Sequence, residues 1–347
     1  MGIFDILKKG STPDRDAASH STGLTGFNST LYRNAAGLYP QEVLVIQTVP
    51  IYRYCVGEDN HKDYWWQNYG VHIDKTLRHL CEKDFLAVGS LEDSLGLYKL
   101  PDLKAVLSKY DLKVSGKKDD LIVRLVENVP EAELRRLFPR CPYIVTDAGR
   151  EAVKEDDYVF YMFRHTIQGL SLYDLNRQLK GKTSRYRDVI WGHYNKRSLE
   201  LAKEKEWGLY ANNRIEMSRF LCEEDKYAEA VTLIVEACCY ELCVNPSAFD
   251  YIEYLGQNWF PYDKSIITAG HASMLKDFQM KMDMSDDEYN RFITTLVKKT
   301  SAPFNVFTAS ECVDIIISEL NDDKPKLRSI YDKAKKRLRK KYPKAKF

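Results

Sequence analysis

From about residue 73 onward the chain carries apolar residues at helical spacing. Leu77, Leu80 and Cys81 line one face, and Phe85, Leu86 and Val88 follow. Upstream, residues 42–56 are β-branched, bounded by Pro40 and Gly57 and interrupted by Pro50, which predicts one strand or buried extended segment. At Tyr143 the pattern Tyr-Ile-Val-Thr-Asp-Ala-Gly-Arg-Glu-Ala-Val predicts a short extended run entering a helix capped by Thr146 or Asp147. Beyond residue 156 the spacing is helical almost throughout: Tyr186 to Trp191, Tyr194 to Leu201, Trp207 to Leu221, and Lys226 to Val244 with Tyr227, Ala230, Val231, Ile234 and Val235 on one stripe. Two capping boxes, Ser285-Asp-Asp-Glu288 and Thr308-Ala-Ser-Glu311, open further helices. The last predicted helix, Lys326 to Lys341, has an apolar side of Leu327, Ile330, Tyr331, Ala334 and Leu338. The pattern is that of a mainly α, multidomain protein.

Residues 98–128 are the most informative stretch. Pro101 suits the first position of a helix, with Leu103, Val106 and Leu107 then on one face. Leu112 sits in a connector, Gly116 permits a turn, and Leu121, Ile122 and Leu125 form the stripe of a second helix. Leu103-Lys104 with Leu107, the Leu112 step, Ser115-Gly116-Lys117-Lys118, and Leu121-Ile122 before Arg124-Leu125 together resemble the SAP motif, a helix–extended loop–helix DNA-binding module. Two positions depart from that family: Asp111 stands where Gly commonly precedes the connector Leu, and Asp102 where Glu is usual. The resemblance implies DNA binding, with Lys104, Lys109, Ser115, Gly116, Lys117, Lys118 and Arg124 as contacts. The residues supply a reason, because amides at the start of the second helix carry the positive end of the helix dipole and Lys117 and Lys118 add full charges. Residues 100–128 nevertheless hold six basic against five acidic side chains, which predicts modest affinity. A small helical hairpin used only for packing or protein contact stays open.

Other pieces carry coarser resemblances. The helix ending in Lys-Asp-Phe-Leu and the later strand turning into Thr-x-x-Gly-Arg resemble the recognition-helix and wing portions of winged-helix domains, the alternative being a helical domain with one β-ribbon. Asp225 to Val231 resembles the opening of a tetratricopeptide-like helix, but a single such pair predicts a local hairpin, since solenoids need about three repeats. The expected domains are thus a flexible 1–30 with a short apolar helix, Ile3 to Lys9; a small α+β domain from 31–97 and 129–156, with the SAP-like module at 98–128; a helical domain over 157–323; and a basic helix over 324–347. The layout resembles proteins of bacterial prophages and mobile elements.

Length and composition narrow the function classes. With 347 residues, 44% hydrophobic and 29% charged, the chain exceeds one ordinary core and is not a disordered or fibrous sequence. The longest apolar stretches, Val43 to Ile51 and Val231 to Val244, fall short of a membrane span, and the first nine residues lack a secretory signal, so a cytoplasmic protein is expected. Net charge is +2, but residues 324–347 hold twelve Lys or Arg against one Asp, leaving −9 on the remainder. That basic helix reads as a solvated end, as a nucleic-acid contact through Lys335, Lys336, Arg337, Arg339, Lys340 and Lys341, or as a binder of anionic membrane surface. Eight cysteines form no CxxC pair. Cys238, Cys239 and Cys243 share a helix with no sequence-near ligand to complete a zinc site, so buried structural cysteine is expected, and neither a metal nor a cofactor. There is no GxxxxGK[ST], GxGxxG, GxSxG or HExxH. The expectation is a non-enzymatic DNA-binding accessory or regulatory protein. The alternatives are a helical interaction scaffold, such as a phage-encoded regulator or inhibitor of a host factor acting through residues 186–244, and a nuclease built from distant carboxylates.

Overall fold

The computed structural model describes residues 30–242, 267, 269–304 and 306–343. The readings at Ile3 to Lys9, the linker up to residue 29, Cys243 and Val244 lie outside the described residues. The chain divides into two units, 1–189 and 190–347. The described residues are mainly helical, with seventeen α-helices and a single two-stranded sheet. None of these helices is long and apolar enough to cross a membrane.

Unit 1 opens with α1 (Pro40–Tyr52), α2 (Lys62–Tyr69) and α3 (Ile73–Glu82), then β1 (Leu86–Val88). Four helices follow: α4 (Leu91–Gly96), α5 (Leu100–Lys109), α6 (Lys118–Asn128) and α7 (Glu131–Leu137). The chain then returns through β2 (Tyr143–Val145) to α8 (Asp147–Ala152), α9 (Asp157–Arg164) and α10 (Leu172–Leu179). Strand β1 pairs antiparallel with β2, Leu86 opposite Val145 and Val88 opposite Tyr143. The ribbon is therefore closed by the whole α4–α7 insertion rather than by a tight turn. Its exit into α8 is fixed by Thr146, whose hydroxyl accepts from the Gly149 amide at 2.9 Å and so caps the helix. Gly149 has no alternative, because a Cβ there would lie 2.0 Å from the Phe85 carbonyl oxygen.

The strand expected over 42–56 is instead helix α1. Pro40 occupies its first turn, the Tyr39 amide donates to the Glu42 carboxylate at 2.8 Å, and Arg53 ends it in the left-handed region at φ 51°. An unbroken apolar run describes a buried strand and a buried helix equally well. Here Val43, Leu44, Val45, Ile46 and Val49 are all buried, so β-branched residues are packed on every side of a helix and their propensity is overridden.

Helix α11 (Tyr186–Glu204) spans the division between units and joins in one element the two stretches read separately. Unit 2 then has α12 (Trp207–Cys222), α13 (Tyr227–Glu241), α14 (Ala269–Lys281), α15 (Asp286–Lys299), α16 (Ala309–Leu320) and α17 (Lys324–Lys341). Helices α12 and α13 form an antiparallel hairpin: Trp207 stacks on Tyr240 at 5.1 Å near one end, and Ser218 donates to the Ala230 carbonyl at 2.8 Å near the other. Both capping boxes form, with the Ser285 amide on Glu288 at 3.1 Å and the Thr308 amide on Glu311 at 2.8 Å. One core joins these six helices and the Leu201 end of α11, and Leu327, Ile330, Tyr331, Ala334 and Leu338 of α17 lie inside it. The basic C-terminal helix is thus a structural member of unit 2.

Candidate nucleic-acid interface

The module in unit 1 is built around ten buried side chains. Leu103 and Leu107 from α5 meet Leu121, Ile122 and Leu125 from α6, as the spacing predicts, and Leu112 closes the connector side. Flanking helices enlarge this core: Leu91 and Leu95 come from α4, Leu134 from α7 and Phe138 from just beyond it. The sequence reading missed these because α4 and α7 are too short, at six and seven residues, to show a helical period. Asp111 adopts φ 52°, the left-handed conformation in which glycine is cheapest and Asp is among the better-tolerated alternatives. Asp111 thus occupies a backbone conformation that glycine would accept more readily.

The polar residues sort by what already holds them. Arg124 donates to the carbonyls of Lys113 and Ser115, the latter at 3.2 Å, so its guanidinium ties the connector to α6. Lys118 is half-buried and donates to the Gly96 carbonyl at 2.6 Å, fastening α6 to the end of α4. Lys109 lies 3.4 Å from Glu133 and over the ring of Tyr110. Hydrogen bonds from Arg136 first, and then Lys109, hold the Glu133 carboxyl down at about 2, so that carboxylate stays charged and competes for Lys109. Lys104, Ser115, Gly116 and Lys117 are exposed. So is Lys113, which sequence reasoning passed over because the match rests on the hydrophobic steps and the Ser-Gly-Lys-Lys turn.

The connector from Lys113 to Lys117 is consequently a continuous exposed strip with a lysine at each end. Gly116, at φ 135°, turns it into α6, and the Lys117 amide donates to Asp120 at 2.9 Å. Asp120 thereby takes one of the donors at this helix start, and Asp119 is exposed beside it. The positive charge offered at this helix start therefore comes from lysine side chains more than from helix amides.

In unit 2, α17 turns its charge outward unevenly. Arg337 makes two hydrogen bonds to the Glu311 carboxylate, at 3.0 and 2.7 Å, and one to the Val306 carbonyl at 2.6 Å. Burial pushes Glu311 up, but the bonds from Arg337 and Thr308 outweigh it and hold the carboxyl below its ordinary value. Lys335 is half-buried and its affinity for a proton is lowered by burial and by Arg339. Lys336, Arg339, Lys340 and Lys341 are exposed, Lys341 lying over the ring of Tyr342.

Residues 94–130 match the family model of the SAP domain, a span running from within α4 to the residue before α7. No curated protein and no solved structure matches the chain. The SAP domain assigned to this segment points to nucleic-acid binding in general.

Proposed function

We propose that this protein is a DNA-binding accessory or regulatory protein, without catalytic chemistry of its own, that holds backbone phosphates through its SAP domain. The exposed Lys113–Lys117 strip within the SAP match carries the reading. Lys113 and Lys117 supply charge at its two ends, Lys104 adds a third exposed cation, and Arg124 neutralises carbonyls that would otherwise face a phosphate. Lys118 and Arg124 serve the interface by fixing its shape. Contacts of this kind fix position on the duplex and carry little base information, so binding is of low sequence specificity.

The test is a fluorescence-anisotropy titration of the full chain with duplex and single-stranded DNA over a range of salt. Each phosphate neutralised contributes about 0.9 to the log–log salt slope on duplex. The double substitution Lys113→Glu, Lys117→Glu is expected to weaken binding and to flatten that slope by about 2. Unchanged affinity and slope in a folded double variant would remove the SAP domain from DNA binding.

A further inference from the structure

The carboxy-terminal end of α13 and the start of α14 bring together three groups of metal-ligating chemistry. Cys238 and Glu241 lie one turn apart on the same face of α13, and His271 reaches them from α14. The Cys238 sulfur, a Glu241 carboxylate oxygen and a His271 ring nitrogen all lie within 4.8 Å of one another. His271 Nδ1 stands 3.2 Å from Glu241 Oε2. Cys238 and His271 are buried, and Glu241 is half-buried.

An imidazole–carboxylate hydrogen bond alone would account for two of these groups. It does not account for a thiol placed at the same point. The completely buried sulfur stands beside a carboxylate and an imidazole, three donors gathered at one point where a cation can be held. We infer that Cys238, Glu241 and His271 form a site for a divalent transition cation, with zinc favoured by the donor set and these three as its ligands among the described residues. One sulfur, one nitrogen and one oxygen suit the borderline character of zinc, and three protein ligands with an open fourth position are a recurrent zinc arrangement. Zinc bonds of about 2.0–2.3 Å set tetrahedral ligand atoms roughly 3.3–3.7 Å apart. The His271–Glu241 pair, at 3.2 Å, already stands near that spacing, and all three atoms lie within 4.8 Å of one another. Binding displaces the thiol proton to solvent, the sulfur remaining as thiolate on the metal.

The site is tested on the full chain, reduced, stripped with a chelator and titrated with Co²⁺ as a spectroscopic substitute for Zn²⁺. The expected result is one equivalent bound, with tetrahedral ligand-field bands and a sulfur-to-cobalt charge-transfer band, both abolished by added Zn²⁺. Cys238→Ser should lose the charge-transfer band, and His271→Gln and Glu241→Gln should each weaken Co²⁺ binding by tenfold or more, on the order of what metal-site losses produce. Should Cys238→Ser fail to fold by circular dichroism, His271→Gln decides, since its side chain keeps 11% exposure while Cys238 is fully enclosed. No charge-transfer band in the folded parent chain overturns the proposal. So does a band kept by folded Cys238→Ser, or unchanged Co²⁺ affinity in folded His271→Gln.

Discussion

Asp111 departs from the SAP pattern in its side chain while holding the left-handed conformation that glycine favours. At φ 52° a β-branched side chain would clash, whereas glycine would not. Asp111→Val is therefore expected to destabilise the module by about 1–2 kcal/mol, the usual penalty of the left-handed region. Asp111→Gly should stay within about 1 kcal/mol of the parent, because relieved strain is set against the extra freedom of glycine in the unfolded chain. Urea unfolding followed by amide exchange over residues 101–127 measures both, and equal effects of Val and Gly would show that the backbone at 111 is not constrained. Much of the residue-level reading of this module was legible in the sequence: Leu103, Leu107, Leu121, Ile122 and Leu125 are the core their spacing predicts. The partners of Lys118 and Arg124 were not, since a lysine that donates to the Gly96 carbonyl and one that faces solvent have the same letter and the same neighbours. Likewise Cys238 sits in a readable helix, yet His271 reaches it from another helix well downstream, and sequence proximity gave no sign of it.

At the scale of elements, amphipathic helices are legible in the sequence, and one buried around most of its circumference is not. Helix α1 has no polar face to set its period, so its Val and Ile residues suggested a strand until the packing on every side became visible. Helix α17 does have such a face, and its five apolar residues lie in the core as their spacing predicts, but the partners of its charged residues leave no trace in the sequence. Arg337, one of the six candidate contacts, clasps Glu311 and Val306 and joins α17 to the start of α16. The consequence is a stability that depends on pH. The native Glu311 carboxyl is held below its unfolded value, so its contribution is fully present above about pH 4.3, the ordinary glutamate value, and is lost as pH falls through the lower native one. Arg337→Gln is expected to cost about 1–3 kcal/mol at pH 7, the range for hydrogen bonds to a charged group, and distinctly less at pH 3. Urea denaturation at the two pH values reads the difference. A cost that does not change with pH would show that the Glu311 charge contributes nothing to holding α17.

Over the whole molecule, the candidate phosphate contacts fall in two places of different construction. The SAP domain offers a short strip at nearly balanced local charge, while α17 carries ten basic residues and one Asp on a helix whose apolar side is sealed in the core of unit 2. Removing residues 324–347 would therefore open that core and could not isolate the role of the charge. Surface substitutions can. We expect Lys336→Gln, Lys340→Gln and Lys341→Gln in the full chain to leave folding intact, because all three side chains are exposed, and Arg337 is left in place to hold the helix. If each contacts a phosphate, the salt slope of duplex binding should fall by about 0.9 per lysine, or about 2.7 for the set. Combining this set with Lys113→Glu, Lys117→Glu should give a slope reduction equal to the sum of the two, since the substitutions lie in separate units and share no partner. A triple variant that binds duplex with the parent slope would make α17 a structural helix with a solvated face, and DNA contact would then rest on the SAP domain alone.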